Sequence, residues 1–379
     1  MRILSYEASA GYEDDIEFNK MKFGRLNLIV GNSGTGKTRL LNTIFNSALL
    51  VTKEEKFFIG KWDITLEHNS EKYRWIIETG KDDNDDDIKK AKILKERIIK
   101  FDNEKENVLV DRSLESFIFN DKELPKLPKR ESSISLLKDE KIIKPIYDGL
   151  SSIMRRNFSG SDLEQETSYQ TLPYSLFEKI QESRDLENLF HSGLNLNCKL
   201  YVLSEVFKDI YDKICATFIE TFPFVTKTKM LGADNFGLHY PGIVPAFSMK
   251  EKFSKKWISL NAFSSGMKKV LLILCDVYIL PETGCVYLVD EYENSLGVNA
   301  INFFPSVLYE AGRNSQFIIT SHHPYIIGNV PVKDWLILHR KGSKVFIQQG
   351  EELEEKFGKS KQKAFIQLIN DSFYVEGIE

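Results

Sequence analysis

Gly31-Asn32-Ser33-Gly34-Thr35-Gly36-Lys37-Thr38 is the stretch that decides the fold. It fits G-x-x-x-x-G-K-[ST] without a mismatch. The apolar run Leu26–Val30 precedes it directly, and apolar residues at helical spacing follow it: Leu40, Leu41, Ile44, Phe45 and Leu49. Glycines let such a loop curl with its N–H groups pointing inward, and the helix beyond adds the positive end of its dipole, so the segment is built to hold phosphate. The Lys37 ammonium can reach the outer phosphates, and the Thr38 hydroxyl can sit on a Mg²⁺ bound to them. All eight residues from Gly31 to Thr38 are therefore candidate contacts.

Working outward, two strands are expected at Ile3–Glu7 and Leu26–Val30, joined by an acidic, loop-rich stretch around Glu13–Ile16. A hairpin is expected from Trp62–Glu67 and Tyr73–Glu78 around His68-Asn69-Ser70-Glu71. Asp82, Asp83, Asp85, Asp86 and Asp87 read as a solvated loop rather than a metal trap. From about Lys89 to Ser259 the chain is mixed and mostly polar, and Leu203, Val206, Phe207, Ile210, Tyr211, Ile214 and Phe218 fit one core-facing helical stripe. Short buried-strand runs return at Cys285–Val289 and Phe317–Thr320, and Trp335–His339 with Val345–Gln348 form a closing hairpin. A short helix is expected near Lys361–Ile369.

The composition suits a globular chain: of 379 residues, 42% are hydrophobic and 28% charged, enough for a buried core. The net charge of −4 argues against a DNA coat over the whole surface. Two small basic clusters, Lys126/Lys129/Arg130 and Lys250/Lys252/Lys255/Lys256 beside Phe253 and Trp257, read as solvated faces. Val270–Leu280 carries Asp276 and is too short for a bilayer of about 30 Å. The start turns polar at once and reads as a strand rather than a signal peptide, so a cytoplasmic location without membrane contact is expected. Cys198, Cys215, Cys275 and Cys285 show no close pairing, which points away from a zinc site or a disulfide framework.

A second chemical element ends the strand Cys285–Val289 in adjacent carboxylates, Asp290 and Glu291. An Asp there can hold Mg²⁺ beside the phosphate loop, while its neighbour points differently and can polarise a water. Phe263-Ser264-Ser265-Gly266-Met267-Lys268-Lys269 opens a Leu- and Ile-rich helix, with Gly266 standing 24 positions before Asp290. Ile318-Ile319-Thr320-Ser321-His322-His323-Pro324 follows about thirty residues after it, again at a strand end.

The order and identity of these segments resemble the ABC-type ATPase superfamily, in its soluble SMC-like and OLD-like branch. The resemblance covers roughly residues 1–80 and 255–350. It implies an α/β fold, an ABC-type P-loop ATPase head with a mixed sheet, antiparallel strands and flanking helices. Residues 1–80 and 256–379 would form the core, and residues 81–255 a large, mainly helical insertion. It also implies ATP and Mg²⁺ as cofactors. Asp290 would coordinate the metal with Thr38, Glu291 would be the catalytic base, and Lys37 and the switch histidine His322 would complete the catalytic set. Ser264, Ser265 and Gly266 would complete the site on a second subunit's nucleotide. Glu293-Asn294-Ser295-Leu296 would link the two sites. Ser33 stands where the family usually has Asn, and Phe263 where it usually has Leu. The family's Mg²⁺-contacting Gln has no clear equivalent, and Ser132 and Ser133 lie near its expected place.

A composite site implies a head-to-head dimer that closes on ATP and opens on hydrolysis. After His322 there is room for a hairpin and a short helix, not for an OLD-like nuclease domain. The expectation is therefore an ATPase switch acting on a separate effector protein such as a nuclease subunit, as in PARIS- or Septu-like anti-phage systems. A RecF-like ATPase that clamps DNA directly is the alternative. A transporter motor fits less well, because Thr38 and Ser264 stand 226 positions apart.

Overall fold

The strand that precedes the phosphate-binding loop is buried at every residue from Leu26 to Val30, and it lies within a sheet assembled from both ends of the chain. The computed structural model describes residues 1–10, 15–52, 59–81, 91–103, 105–158, 160–294, 296–297, 300–301, 307–308, 314–357 and 361–378. In chain order the first elements are β1 (Arg2–Ala10), β2 (Ile16–Lys22), β3 (Leu26–Val30), α1 (Lys37–Thr52), β4 (Gly60–His68), β5 (Glu71–Lys81), β6 (Ala91–Asp102), β7 (Lys105–Ser113), β8 (Phe117–Phe119) and β9 (Lys122–Leu124). Then come α2 (Ser133–Leu136), α3 (Lys144–Ser151), β10 (Ile153–Arg156), α4 (Gly160–Thr167), α5 (Tyr174–Ser183), α6 (Leu186–Phe190), α7 (Leu196–Val206), α8 (Lys208–Thr221), β11 (Val225–Gly232), β12 (Pro245–Glu251), β13 (Ile258–Ser259) and α9 (Ser265–Tyr278). The chain finishes with β14 (Val286–Val289), β15 (Gln316–Thr320), α10 (Pro324–Ile327), β16 (Trp335–Lys341), β17 (Lys344–Gln349), α11 (Gly350–Phe357), α12 (Lys361–Leu368) and α13 (Ser372–Val375).

These elements form two compact units. The first comprises Met1–Arg156, Thr283–Tyr292 and Asn314–Glu379; the second comprises Asn157–Glu282 and Glu293–Arg313. The first unit holds one sheet, ordered β10-β14-β15-β3-β16-β17-β2-β1-β4-β5-β6-β7-β8-β9 among the described residues. From β10 to β16 the neighbours run parallel. Every residue of β3, β14 and β15 is buried, the continuous apolar pattern of strands covered on both faces. From β2 through β9 the pairing is antiparallel. There the burial alternates, as in β4, where Trp62, Ile64, Leu66 and His68 point inward. The turn between β4 and β5 uses Asn69 and Ser70, both with positive φ (50° and 63°), the conformation a two-residue hairpin needs.

Three expectations are corrected. Between the two strands expected at Ile3–Glu7 and Leu26–Val30, a further strand forms, β2, which begins at Ile16, where the loop-rich stretch around Glu13–Ile16 was expected. The acidic run Asp82–Asp87 lies outside the described residues, but beyond it β6 and β7 extend the antiparallel sheet through residues 91–113, where a mainly helical insertion was expected. Apart from the buried Glu96 and Arg112, their charged residues are exposed or half-buried, and irregularities at Glu78/Thr79 and Ile98/Ile99 shift the two-residue period that sequence patterning relies on. The first unit therefore runs unbroken to Arg156, and the 255/256 boundary falls in the β12–β13 turn, inside the second unit.

The second unit combines α4–α9 with the three-stranded sheet β11-β12-β13. Its core-facing stripe is buried at Leu203, Val206, Tyr211, Ile214 and Phe218, as the spacing indicates. It is split into α7 and α8, because Phe207 leaves helical geometry at φ −126°, ψ 58°. Phe218, Phe247 and Phe263 form an aromatic cluster, with ring centroids 6.0–6.2 Å apart. All four cysteines are buried and unbridged.

A buried charge organises the end of the antiparallel region. Glu96 is 1% exposed and Arg112 4%. The Glu96 carboxylate accepts from Trp75 Nε1 (3.1 Å), Ser132 Oγ (2.5 Å), Ser133 N (2.8 Å) and Arg112 Nη1 (3.4 Å). Arg112 Nη1 also donates to the Glu131 carbonyl at 2.7 Å. Burial pushes the guanidinium's pKa down, and Glu96 beside it opposes that shift. Removing one member leaves an uncompensated buried charge, which typically costs about 3–5 kcal/mol. Arg112→Met is thus expected to lower the unfolding free energy in urea by about that amount, and Arg112→Met combined with Glu96→Gln should recover much of the loss.

Candidate functional site

The parallel register places the chemistry at one sheet edge. Val289 pairs with Ile319, and Thr320 pairs with Ile29, so β14, β15 and β3 end together. Asp290 and Gly31 each begin just beyond that edge, the crevice in which open α/β sheets bind ligands. The phosphate-binding loop is shaped for its task. A Cβ on Gly31 would lie 2.7 Å from Thr35 Oγ1 and 3.0 Å from the Leu338 carbonyl, so only glycine fits. Gly34 and Gly36 have φ of +88° and +100°, which opens the backbone toward an anion. Thr35 is fully buried and donates to the Asn32 carbonyl at 2.9 Å. Helix α1 starts at Lys37, whose ammonium donates to the carbonyls of Gly31 (2.7 Å) and Asn32 (3.0 Å), across the curl of the loop. Ser33 and Thr38 are exposed.

Thr320 ties the acidic pair to the next strand. Its hydroxyl donates to Asp290 Oδ1 at 2.7 Å and accepts from the Glu291 N–H at 2.8 Å. The Tyr292 N–H donates to the Thr320 carbonyl at 3.1 Å. Arg155 of β10 places Nη2 3.7 Å from Asp290 Oδ2. Glu291 has φ +44°, a left-handed conformation uncommon for a residue with a side chain.

The two histidines separate by role. His323 Nδ1 accepts from the Tyr325 N–H at 3.2 Å and caps α10, so its ring is engaged in local structure. His322 is exposed at the end of the same strand as Thr320. The two rings thus differ in place: His323 is part of the α10 cap, and His322 lies outside it, two residues past the end of β15.

In the second unit, Ser264 caps α9, its hydroxyl accepting from the Met267 N–H at 3.4 Å. Ser264 and Ser265 are exposed and Gly266 is half-buried at this helix N-terminus, where backbone N–H groups and the helix dipole favour an anion. Lys269, fully buried, donates to the Asn294 carbonyl at 3.0 Å and lies 4.2 Å from the Phe158 ring centroid. The signature helix is thereby tied to the segment after the acidic pair, of which Glu293, Asn294 and Leu296 are described and Ser295 is not.

Several contacts escape sequence reading. Asn32 Nδ2 donates to the carbonyls of Tyr374 (2.9 Å) and Val375 (3.2 Å), and Arg340 Nη1 reaches the Gly34 carbonyl at 3.4 Å. These are backbone acceptors more than 300 residues away, which leave no residue-type signal. Arg155 was hidden in the polar middle of the chain. Ser132 and Ser133 are buried around Glu96, with Ser132 also capping α2, so both are engaged in the core of the first unit. Among the described residues no group of three or more His, Cys, Asp or Glu side chains could hold a metal. A Mg²⁺ held by phosphate oxygens, Thr38 and Asp290 does not need such a cage. The residues present thus fit a Mg²⁺–nucleotide, with the loop's N–H groups and Lys37 for phosphate.

The Thr320 tie is testable apart from any ligand. Thr320→Val keeps the volume but strips Asp290 and Glu291 of that partner. Its unfolding free energy is expected to fall by about 1–3 kcal/mol, while Thr320→Ser should stay close to wild type.

Comparison with known proteins gives the fold and the family. A chromosome partition protein Smc from Methanocaldococcus jannaschii is 24% identical over 143 residues, 37% of this chain and 12% of that protein. The chain thus spans about an eighth of that relative's length. Among solved structures, an SmcHead bound to the C-winged helix domain of ScpA superposes with a TM-score of 0.51 at 13% identity, covering 94% of this chain and all of that one. An Smc head domain with an extended coiled coil, bound to the C-terminal domain of ScpA derived from Pyrococcus furiosus, gives a TM-score of 0.48 at 14% identity, covering 93% of this chain and 98% of that one. The fold is that of an SMC-type, ABC-like P-loop ATPase head: a large mixed sheet flanked by helices. No helix among the described residues is long and apolar enough to cross a membrane. Residues 26–328, which run from the strand before the phosphate loop to just past His322 and His323, match the AAA_21 family, described as "AAA domain, putative AbiEii toxin, Type IV TA system", and the chain belongs to that family.

Proposed function

We propose that this protein is an ATP-hydrolysing switch that dimerises on Mg²⁺–ATP and controls a separate effector protein in a toxin-type anti-phage system. The observation that carries it is the linked site at the sheet edge. A phosphate-shaped loop, an Asp–Glu pair with Glu291 held in the left-handed region and a threonine binding both of these residues to the neighbouring strand together suit nucleotide hydrolysis more than static binding. The family's description, which speaks of a toxin, supports the effector arm of the reading.

In this mechanism Lys37 and the loop N–H groups hold the β- and γ-phosphates. Thr38 and Asp290 hold Mg²⁺, which supplies charge neutralisation on the phosphate oxygens. Glu291 orients and deprotonates the attacking water, and His322 contacts the γ-phosphate. The exposed N-terminus of α9, with Ser264, Ser265 and Gly266, completes the site on the nucleotide of a second copy. Closure is then a population shift driven by ATP, reversed by hydrolysis.

Glu291→Gln should bind ATP with near-normal affinity, turn over at least about a hundredfold more slowly, and run as a closed dimer in light scattering with ATP and Mg²⁺. Lys37→Met should lose ATP binding and remain monomeric. Purification of the Glu291→Gln protein from its host with ATP should retain a stoichiometric protein partner, identified by mass spectrometry, without nucleic acid. Normal turnover by Glu291→Gln removes the base assignment. Recovery of DNA alone, with turnover that rises on adding DNA, replaces the effector reading with a RecF-like clamp.

A further inference from the structure

We propose that the second unit binds an extended, acidic segment of a partner protein by strand addition to β11. The proposal deepens the effector reading above and rests on it for the partner's role, though not for the binding itself. β11 is an edge strand: among the described residues its one strand neighbour is β12. Its free side offers unpaired backbone N–H and C=O groups along eight residues, Val225–Gly232.

The charges on this edge and in the turn beside it are mostly positive. Lys227 and Lys229 are exposed, and Lys227 lies directly across from Lys250 of β12. Like charges directly opposite destabilise an antiparallel pair. Lys252, Lys255 and Lys256 are exposed in the turn that follows. None of these six lysines forms an ion pair with a carboxylate among the described residues, and the acidic residues from Val225 to Ser259 are Asp234, in the β11–β12 connection, and Glu251. Phe253 at the turn is 94% exposed and Phe224, just before β11, 45%. Lysines on an edge prevent self-pairing between copies, and they leave it open to a strand of opposite charge.

Beside the C-terminal half of β11 runs a cleft of about 620 Å³, lined by Tyr201, Met230, Leu231, Tyr240 and Ile243, with Glu205 and Asp234 also on its wall. An added strand would send alternate side chains toward that cleft, and its acidic positions toward Lys227 and Lys229. The features favour a peptide over a nucleic acid. A strand edge matches the hydrogen-bonding repeat of another backbone, which a sugar–phosphate chain lacks, and the patch holds no arginine for bidentate phosphate contacts. The surface also has a route to the site. β12 carries Phe247, which packs on Phe263 at a centroid distance of 6.2 Å, and Phe263 immediately precedes Ser264.

The test is fluorescence anisotropy on the full-length protein without nucleotide. The probe is a fluorescein-labelled peptide of about eight alternating glutamates and valines, long enough to span a typical strand. Binding is expected to weaken at least about tenfold when Lys227→Glu and Lys229→Glu are combined, to weaken with salt, and to vanish when alternate peptide nitrogens are methylated. Phe253→Ala supplies a second variant should the double reversal unfold, and it too should weaken binding. Basal ATP turnover should be unchanged in both. The proposal is overturned if a lysine–valine peptide binds as well, if N-methylation has no effect, or if neither variant weakens binding. It is also overturned if an oligodeoxythymidine of about twenty nucleotides binds instead and is lost on charge reversal. Since the assay uses neither ATP nor effector, its failure leaves the co-purification result to stand on its own, and the converse holds.

Discussion

The pairing of β3 with β15 is the constraint on which the rest of the site depends. It joins residues 26–30 to residues 316–320 across nearly the whole chain, and no local propensity can specify it. Buried amides fix it. Gln316, fully buried, donates through Nε2 to the carbonyls of Ile3 (2.8 Å) and Gly24 (2.7 Å) and accepts from the Ile3 N–H (2.9 Å). Asn27 Nδ2 donates to the Phe317 carbonyl at 3.1 Å. An apolar strand could slide along its neighbour by a residue pair at small cost. A slid strand here would leave these polar groups buried without partners, at roughly 1–3 kcal/mol each. Register is thereby set by hydrogen bonding while stability comes from burial, and the register decides whether the phosphate loop and the acidic pair begin at the same edge.

Much of this was legible in the sequence, and the failures have physical reasons. The phosphate loop, the acidic pair and the switch segment each sit at the end of a short apolar run. A strand buried on both faces and followed by polar or glycine residues has few alternative readings, so β3, β14 and β15 were found within a residue or two. β6 and β7 were missed because one face is open: Lys95, Arg97 and Lys105 read as polar chain, and bulges break the alternation. The single stripe from Leu203 to Phe218 gave the buried face correctly but not the break at Phe207, since a stripe can continue across an interruption in the helix. Partners such as Tyr374 and Val375, which steady Asn32 through their carbonyls, are invisible in principle: any residue supplies a carbonyl.

The site residues proposed from motif alone gain a physical account at Glu291. Two carboxylates adjacent in a strand would normally project to opposite faces of the sheet, and one would be lost to the site. Here β14 ends at Val289, so the pair lies outside the strand's alternation, and Glu291 takes the left-handed region at a local cost of about 1–3 kcal/mol for a residue with a side chain. The Thr320 hydroxyl offsets the cost by holding the strained N–H of Glu291 and the Asp290 carboxylate at once. Thr320 is also the last residue of β15, two positions before His322, so the register of that strand sets the position of a hydrogen-bond partner shared by the Asp290 carboxylate and the Glu291 backbone.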